Sequence, residues 1–256
     1  MDIDSMRTGD MPGDKVAIDE SHIGKTNTIF PYVLQELRQL GEERMTVSVY
    51  GGSGVGKSEI GSVLAQYLEM EGYSTYILSG DNYPHRIPEH NDMERLSVYR
   101  NAGLGALATN PDFSNEWSEK VFEKWPSMGD FQPETFFRED ASWIGEYCAA
   151  GRDALANYLG TEREIDFAFI NRIIETFKDG GNSITLKRMG RTPDDIRLEA
   201  VDFTGVQVLI IEWTHGNNPA LRGVDYPIFL FSTPAETLAH RLARSRDKNT
   251  DSPFIS

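Results

Sequence analysis

The stretch GGSGVGKS, at residues 51–58, fits the pattern G-x-x-x-x-G-K-[ST] of a phosphate-binding loop. It follows an apolar run over 45–50 and precedes a segment whose apolar residues recur at helical spacing. Glycines allow a compact loop whose amides converge on phosphate oxygens, and the following helix points its positive end at the anion. The alternative is a Gly-rich turn that ends in Lys-Ser by chance.

In such a loop the lysine reaches the β- and γ-phosphates of a nucleoside triphosphate, and the next hydroxyl is a ligand of Mg²⁺. Lys57 and Ser58 take these places. We therefore expect ATP and Mg²⁺ as cofactors, with another triphosphate donor left open. The loop alone does not choose between motors, switches and small-molecule kinases. The residues predicted to hold the nucleotide are Gly51, Gly52, Ser53, Gly54, Val55, Gly56, Lys57 and Ser58.

Four short apolar runs predict the strands of a parallel sheet. They cover 45–51, 75–79, 206–213 and 226–232, and they lack the strict alternation of a half-exposed strand. Helical spacing over 29–40 and 58–71 supplies helices to cover the sheet. The predicted fold class is α/β: a P-loop NTPase with a parallel sheet flanked by helices.

Three further segments organise the rest of the chain. Residues 1–25 are rich in Gly and Asp and predict a loose N-terminal arm, with 26–256 as one domain. The segment of about 88–165 predicts a helical insertion, with helices at 92–108 and 141–159. This insertion either stands over the carboxyl ends of the strands, where ligands bind, or is a packing subdomain that does not contact the substrate. Runs at 183–188 and 196–201 predict a β-hairpin.

Composition limits the partners. The formal net charge of −15 argues against nucleic-acid binding, which depends on Lys and Arg neutralising phosphates. The longest apolar run, over 206–213, is far shorter than the ~20 residues that cross a bilayer, so we expect no membrane segment. The single cysteine, Cys148, fits a reducing compartment. A cytoplasmic location follows, and the oligomeric state is left open, with a homo-oligomer among the choices.

Asp81 stands where the second strand ends, in Ser79-Gly80-Asp81-Asn82-Tyr83. A carboxylate at that edge lies close to the γ-phosphate and can accept a proton from an attacking hydroxyl. Gly-Asp-Asn is also good turn chemistry, so the residues alone leave both roles open.

At this point the chain resembles the P-loop kinases of the uridine kinase, phosphoribulokinase and pantothenate kinase group. The resemblance implies that Asp81 is the general base. It also matches the run 208–216 to the group's apolar strand that ends in an acidic residue near Mg²⁺, which assigns Glu212 to the metal. Here Trp213 replaces the group's usual Gly, which puts the aim of Glu212 in question.

The resemblance further matches 225–247 to the group's fourth strand, a helix and an Arg-rich lid. Arginine forks can hold the oxygens of a transferring phosphoryl group, so Arg244 and Arg246 are implied in catalysis and Arg241 in nucleotide binding. A solvated basic helix face is the alternative. In that group the chain continues into a further helix and strand; this sequence ends at Ser256, so either it is truncated or the base is held differently.

Candidate acceptor contacts follow from position. They are Tyr83, Arg86, Asp166, Arg188 and His215. We therefore expect an ATP-dependent phosphotransferase that acts on a hydroxyl of a small molecule such as a nucleoside, a sugar phosphate, pantothenate or another polyol. The alternative is a nucleotide-binding ATPase regulated by a protein partner. A GTPase is disfavoured because no Asn-Lys-x-Asp motif is present.

Overall fold

The computed structural model divides the chain into two compact units. Among the described residues, one unit takes in everything up to Ile87 and everything from Ile165 onward, and the other spans Pro88–Glu164. The structure describes residues 7–12, 16–41, 43–108, 110–111, 113–124, 143–190 and 192–233.

A parallel sheet forms the centre of the first unit. Its four strands are ordered β2-β5-β1-β6, and they are β1 (Met45–Gly51), β2 (Thr75–Ser79), β5 (Val208–Trp213) and β6 (Tyr226–Leu230). Each neighbouring pair is parallel, so the carboxyl ends of all four strands lie at one edge. The predicted strands and the parallel α/β sheet are thereby confirmed.

Helices cover one face of this sheet. They are α1 (Glu20–Leu40) and α2 (Lys57–Met70), whose buried leucines, valines and isoleucines form one apolar cluster with β1, β5 and β6. On the other face, α6 (Phe167–Lys178) packs with the antiparallel hairpin β3 (Ser183–Arg188) and β4 (Arg197–Asp202) over Leu209 and Ile211. Because both faces are buried, the strands are apolar without alternation.

The second unit is helical in its described part. It contains α3 (Pro88–Leu107), α4 (Asn115–Lys124) and α5 (Trp143–Ala156), of which α3 and α5 pack together through Tyr99 and Tyr147. Small residues allow this approach, since a Cβ on Gly103 would lie 2.7 Å from the Tyr147 ring. The buried Glu164 accepts hydrogen bonds from Arg95, Asn91 and the Gly160 amide. Cys148 is buried in this core.

One prediction needs correction, and another concerns residues that the structure does not describe. The first helix begins at Glu20, inside the range predicted as a loose arm, because Asp19 caps it by accepting from the Ser21 and His22 amides. The lid arginines Arg241, Arg244 and Arg246 lie outside the described residues.

None of the helices that the structure describes combines the length and the apolar character needed to cross a membrane.

Candidate active site

The GGSGVGKS loop connects the end of β1 to the start of α2. Gly51 approaches the backbone so closely that a Cβ there would lie 2.3 Å from the carbonyl oxygen of Leu230. Gly56 precedes α2 with φ of 90°, in the left-handed region, and its Cβ would lie 2.7 Å from Nε2 of the buried His22. The tight strand–loop–helix geometry therefore requires glycine at both positions.

Lys57 and Ser58 are the first two residues of α2, and their side chains form hydrogen bonds with different partners. The Lys57 ammonium donates to the carbonyl oxygen of Gly52 at 2.8 Å, so it folds back across the loop. The Ser58 hydroxyl donates to Oε2 of Glu212 at 3.0 Å. The first turn of a helix also leaves backbone N–H groups without intrahelical partners, which suits an anion.

Glu212 is the buried acid of this edge. In the sheet register it lies opposite Ser79 on one neighbouring strand and Val49 on the other. The Ser79 hydroxyl donates to Oε1 of Glu212 at 2.7 Å. Burial, aided by the negative charge of Asp81, raises the pKa of Glu212 to about 7, against the opposing effects of the Ser79 and Ser58 hydrogen bonds and of Lys57. Glu212 therefore has a higher affinity for a proton than an exposed glutamate has.

Trp213 and Glu212 point to opposite faces of the sheet. Its indole packs over Gly80, where a Cβ would lie 1.9 Å from Cγ of Trp213, and against Phe167. Because successive strand residues point to opposite faces, the tryptophan fills the core on one side while the carboxylate reaches Ser58 and Ser79 on the other.

Asp81 lies in the 3₁₀ turn Gly80–Asn82 that directly follows β2. It is exposed, in contrast to the buried Gly80 and Asn82 on either side. The negative charge of Asp81 contributes to the raised pKa of Glu212, so these two predicted site residues lie near each other. Lys57 and Ser58 also affect the pKa of Glu212, so the structure brings all four residues together. A hydroxyl, a buried carboxylate and an exposed carboxylate thus lie at the carboxyl edge of the sheet.

This donor set fits Mg²⁺. The ion prefers oxygen ligands and usually takes only one or two carboxylates, completing its shell with water and substrate phosphates. Ser58 and Glu212 already share a hydrogen bond, so both oxygens reach one point in space. The described residues contain no group of three or more His, Cys, Asp or Glu side chains arranged around a metal position. A cation bound here would complete its shell with water or with phosphate oxygens.

The predicted acceptor contacts fall into different surroundings. Tyr83 is fully buried and packs against Phe169, which makes it part of the core rather than a surface. Asp166 caps α6 by accepting from the Phe169 amide at 3.0 Å. Arg86 is half-buried, and the half-buried His215 packs edge-on against Trp213 with ring centroids 5.4 Å apart.

Arg188 is buried among hydrogen-bonding partners. Its Nε donates to Glu199 at 3.0 Å, and its Nη2 donates to the Tyr76 hydroxyl at 3.0 Å. Its Nη1 donates to Asp10, with which it forms an ion pair. The neighbouring Lys187 donates to the Pro84 carbonyl oxygen at 2.6 Å, and burial lowers the pKa of Lys187 although Asp166 opposes this.

Asp10 and His22 are site-bordering residues that the sequence analysis missed. Asp10 binds the turn after β2 and Arg188, and His22 lies against Gly56 of the loop. Both belong to segments without a recognisable motif. In the sequence, Asp10 is one of several acidic residues before α1, and His22 is a polar residue in the first turn of that helix. Neither feature distinguishes them from ordinary surface residues.

Part of one larger protein is similar to this chain in sequence. The chain is 41% identical over 214 residues to the bifunctional alpha-galactosidase/sucrose kinase AgaSK of Mediterraneibacter gnavus, a match that covers 84% of this chain and 18% of that protein. This chain thus spans less than a fifth of that relative. No family model matches the chain.

A solved structure supplies the fold comparison. It is that of a candidate fructose transport system kinase from Silicibacter sp. TM1040, which superposes with a TM-score of 0.51 at 16% identity and covers 87% of this chain and 82% of that one. The α/β fold, with its parallel sheet and flanking helices, is therefore shared with a protein that bears the name of a kinase.

Proposed function

We propose that this chain is an ATP-dependent kinase that transfers the γ-phosphoryl group of ATP to a hydroxyl of a neutral sugar. The observation that carries the proposal is the meeting of Lys57, Ser58 and Glu212 with the exposed Asp81 at one edge of the sheet. The names of the relatives, which include a sucrose kinase and a fructose transport system kinase, support the sugar as acceptor.

Each residue has a separate role in the proposal. The loop 51–58 binds the triphosphate through its amides, with Lys57 swinging from the Gly52 carbonyl oxygen to the β- and γ-phosphates. Ser58 and Glu212 would hold Mg²⁺, which neutralises the charge of the phosphates. Asp81 accepts the proton of the attacking hydroxyl as it approaches the γ-phosphate. The arginines at 241, 244 and 246 are proposed to stabilise the transferring group.

The charges near the turn favour a neutral acceptor over a sugar phosphate or a carboxylic acid. Arg188 is paired with both Asp10 and Glu199, which neutralises its charge. The ammonium of Lys187 is bound to a carbonyl oxygen and its pKa is lowered by burial. An anionic group would have to displace Asp10 to reach Arg188, whereas a neutral polyol needs only hydrogen bonds.

ADP formation with Mg²⁺ and ATP, measured against a panel of acceptors, tests this proposal. The panel contains sucrose, fructose, glucose, galactose, fructose 6-phosphate, uridine and pantothenate. We expect turnover with a neutral sugar, and we expect Asp81→Asn to lower kcat by about 10²- to 10⁴-fold, as loss of a general base does. ATP affinity should remain within about threefold in this variant, because a base contributes to the transition state rather than to nucleotide binding.

The matched control is Asp194→Asn, which makes the same chemical change at an exposed position in the turn Pro193–Asp195. It should leave kcat unchanged. ATP hydrolysis that no acceptor stimulates and that Asp81→Asn leaves intact would contradict the kinase. That result would favour an ATPase regulated by a protein partner.

A further inference from the structure

The segment 7–12 places a carboxylate at the carboxyl end of β2. Only 9% of the Asp10 side chain is exposed, although it belongs to a stretch near the start of the chain. Burying a carboxylate is costly unless hydrogen bonds replace its water. The partners of Asp10 therefore indicate what this burial achieves.

Hydrogen-bond donors surround the Asp10 carboxylate. The Ser79 amide donates to Oδ1 at 2.7 Å, and the Asn82 side-chain amide donates to the same oxygen at 3.0 Å. The Tyr76 hydroxyl donates to Oδ2 at 3.0 Å, and Arg188 donates to Oδ2 as its ion-pair partner. Both oxygens are thereby satisfied, which offsets the cost of burial.

These donors lie on β2, on the turn that carries Asp81 and at the end of β3. Ser79 and Asn82 are the residues on either side of the pair Gly80-Asp81. Arg188 ends β3, and the Met189 amide that follows it donates to the Asn82 side-chain oxygen at 2.9 Å. Asp10 thus joins both ends of the turn to the end of the hairpin, and it holds the backbone of the turn at its first residue.

The same segment also borders the metal-side carboxylate. A Cβ built on Gly9 would lie 3.3 Å from Oε1 of Glu212. Oε1 is the oxygen that accepts from Ser79, whose amide is bound to Asp10. One short segment therefore binds the residues on either side of Gly80-Asp81, through Ser79 and Asn82, and also lies beside Glu212 at Gly9.

We propose that Asp10 is a positioning residue for the phosphoryl transfer: it fixes the Ser79–Asn82 turn so that Asp81 meets the acceptor hydroxyl. This inference rests on the proposed kinase function. Asp10 itself contacts neither the acceptor nor ATP and acts through the turn. The segment 7–12 is accordingly a working part of the site rather than a loose arm.

Two substitutions at Asp10 test the inference by enzyme kinetics. Asp10→Ala removes the carboxylate from all its donors, whereas Asp10→Asn keeps one acceptor oxygen but loses the charge that pairs with Arg188. We expect kcat for the sugar to fall at least tenfold in Asp10→Ala and by less in Asp10→Asn. The KM for ATP should stay within twofold in both, since the loop 51–58 is not bound by Asp10.

Arg44→Ala is the control for a merely structural loss. Arg44 precedes β1 at the opposite edge of the sheet and donates to the carbonyl oxygens of Phe177, Gly181 and Phe203 and to Asn182. Arg44→Ala, like Asp10→Ala, deletes a charged side chain with several hydrogen bonds, so the thermal stability of the Arg44→Ala variant should also fall. Its kcat should nevertheless remain within twofold of the wild type.

Hydrogen exchange gives a readout that does not depend on the acceptor. In nucleotide-free protein, a peptide covering 75–83 should exchange about tenfold faster in Asp10→Ala than in wild type or Arg44→Ala. Unchanged exchange overturns the inference, and so does faster exchange with an unchanged kcat in an active enzyme. If the wild type phosphorylates no acceptor, the proposed function fails, and the exchange result alone decides whether Asp10 fixes the turn.

Discussion

The indole of Trp213 occupies the space that a side chain at position 80 would need. A Cβ on Gly80 would lie 1.9 Å from Cγ of Trp213, deep inside van der Waals contact. Trp213 ends β5 and Gly80 directly follows the neighbouring parallel strand β2, with Ser79 opposite Glu212 in the register. The tryptophan and the glycine are therefore complementary, and together they set how closely the turn that bears Asp81 approaches β5.

Gly80→Ala should displace this turn and lower activity. The added methyl group has to push the indole or the turn aside, and overpacking of this kind costs typically 1–3 kcal/mol. We expect a loss of unfolding free energy in that range together with a fall in kcat of at least tenfold, measured by urea denaturation and by ADP formation. ATP affinity should change little, because the loop 51–58 follows β1, which is not a neighbour of β2 in the sheet.

Gly24→Ala is the control for this prediction. Gly24 lies within α1, where a Cβ meets no atom within 4 Å. Alanine in a helix interior is more favourable than glycine by roughly 0.5–1 kcal/mol, so this variant should be more stable and fully active. Equal behaviour of the two variants would show that Trp213 does not restrict position 80.

Local sequence patterns predicted the sheet well. The four apolar runs became β1, β2, β5 and β6, because a strand buried on both faces has to be apolar throughout. The residues at the strand ends then met at one edge, as parallel pairing requires. For this reason Ser58 and Asp81 could be expected near one another from the strand pattern, whereas Glu212 entered the candidate site only through the resemblance to the kinase group.

Contacts between distant segments could not be predicted. Asp10 meets Arg188 across 178 positions of sequence, and His22 lies against Gly56 although no pattern links α1 to the loop. The burial of Tyr83 was likewise invisible, since a tyrosine after a strand end suits a binding surface as well as a core. Such features depend on how separate elements pack rather than on local spacing.

Gly56→Ala should weaken nucleotide binding. The residue has φ of 90°, which costs a side chain roughly 1–2 kcal/mol, and its Cβ would also lie 2.7 Å from Nε2 of His22. Relief of either strain moves the backbone just before Lys57. We expect ATP affinity to fall at least tenfold, measured by isothermal calorimetry with Mg²⁺.

Gly180→Ala separates backbone strain from the effect on the loop. Gly180 has φ of 83° but no atom within 4 Å of its Cβ position, and it lies after α6. It should lose a similar 1–2 kcal/mol of unfolding free energy while binding ATP normally. Normal ATP binding by Gly56→Ala would argue against this loop as the phosphate site.

Tyr83→Phe should leave catalysis unchanged. The side chain is fully buried against Phe169, so its hydroxyl has no path to an acceptor without movement of the core. The phenyl ring keeps this packing, and both kcat and the KM for the sugar should stay within about twofold of wild type. A rise in KM of tenfold or more would instead assign Tyr83 to acceptor binding, as its place in the sequence suggested.

The raised pKa of Glu212 predicts how stability changes with pH. The nucleotide-free folded protein keeps a proton on Glu212 up to about pH 7, whereas the unfolded chain releases it near the ordinary glutamate pKa of 4.5. Because the folded state binds more protons in this window, the free energy of unfolding falls as pH rises through it. The loss should reach about 3 kcal/mol and level off above the folded pKa.

Urea denaturation at pH 4.5 and pH 8, without nucleotide or Mg²⁺, measures this loss. Glu212→Gln keeps one carbonyl oxygen to accept from either Ser79 or Ser58, whose hydroxyls are bound to different oxygens of Glu212, and it places an amide NH₂ beside the other hydroxyl. Because glutamine cannot ionise, the unfolding free energy of the variant should lack this component of the pH dependence. The difference between wild type and variant isolates Glu212 from every other titrating group, since those groups are common to both. Identical pH profiles would mean that Glu212 ionises with an ordinary pKa in the folded protein. In that case the folded protein would not hold a proton on Glu212 near pH 7.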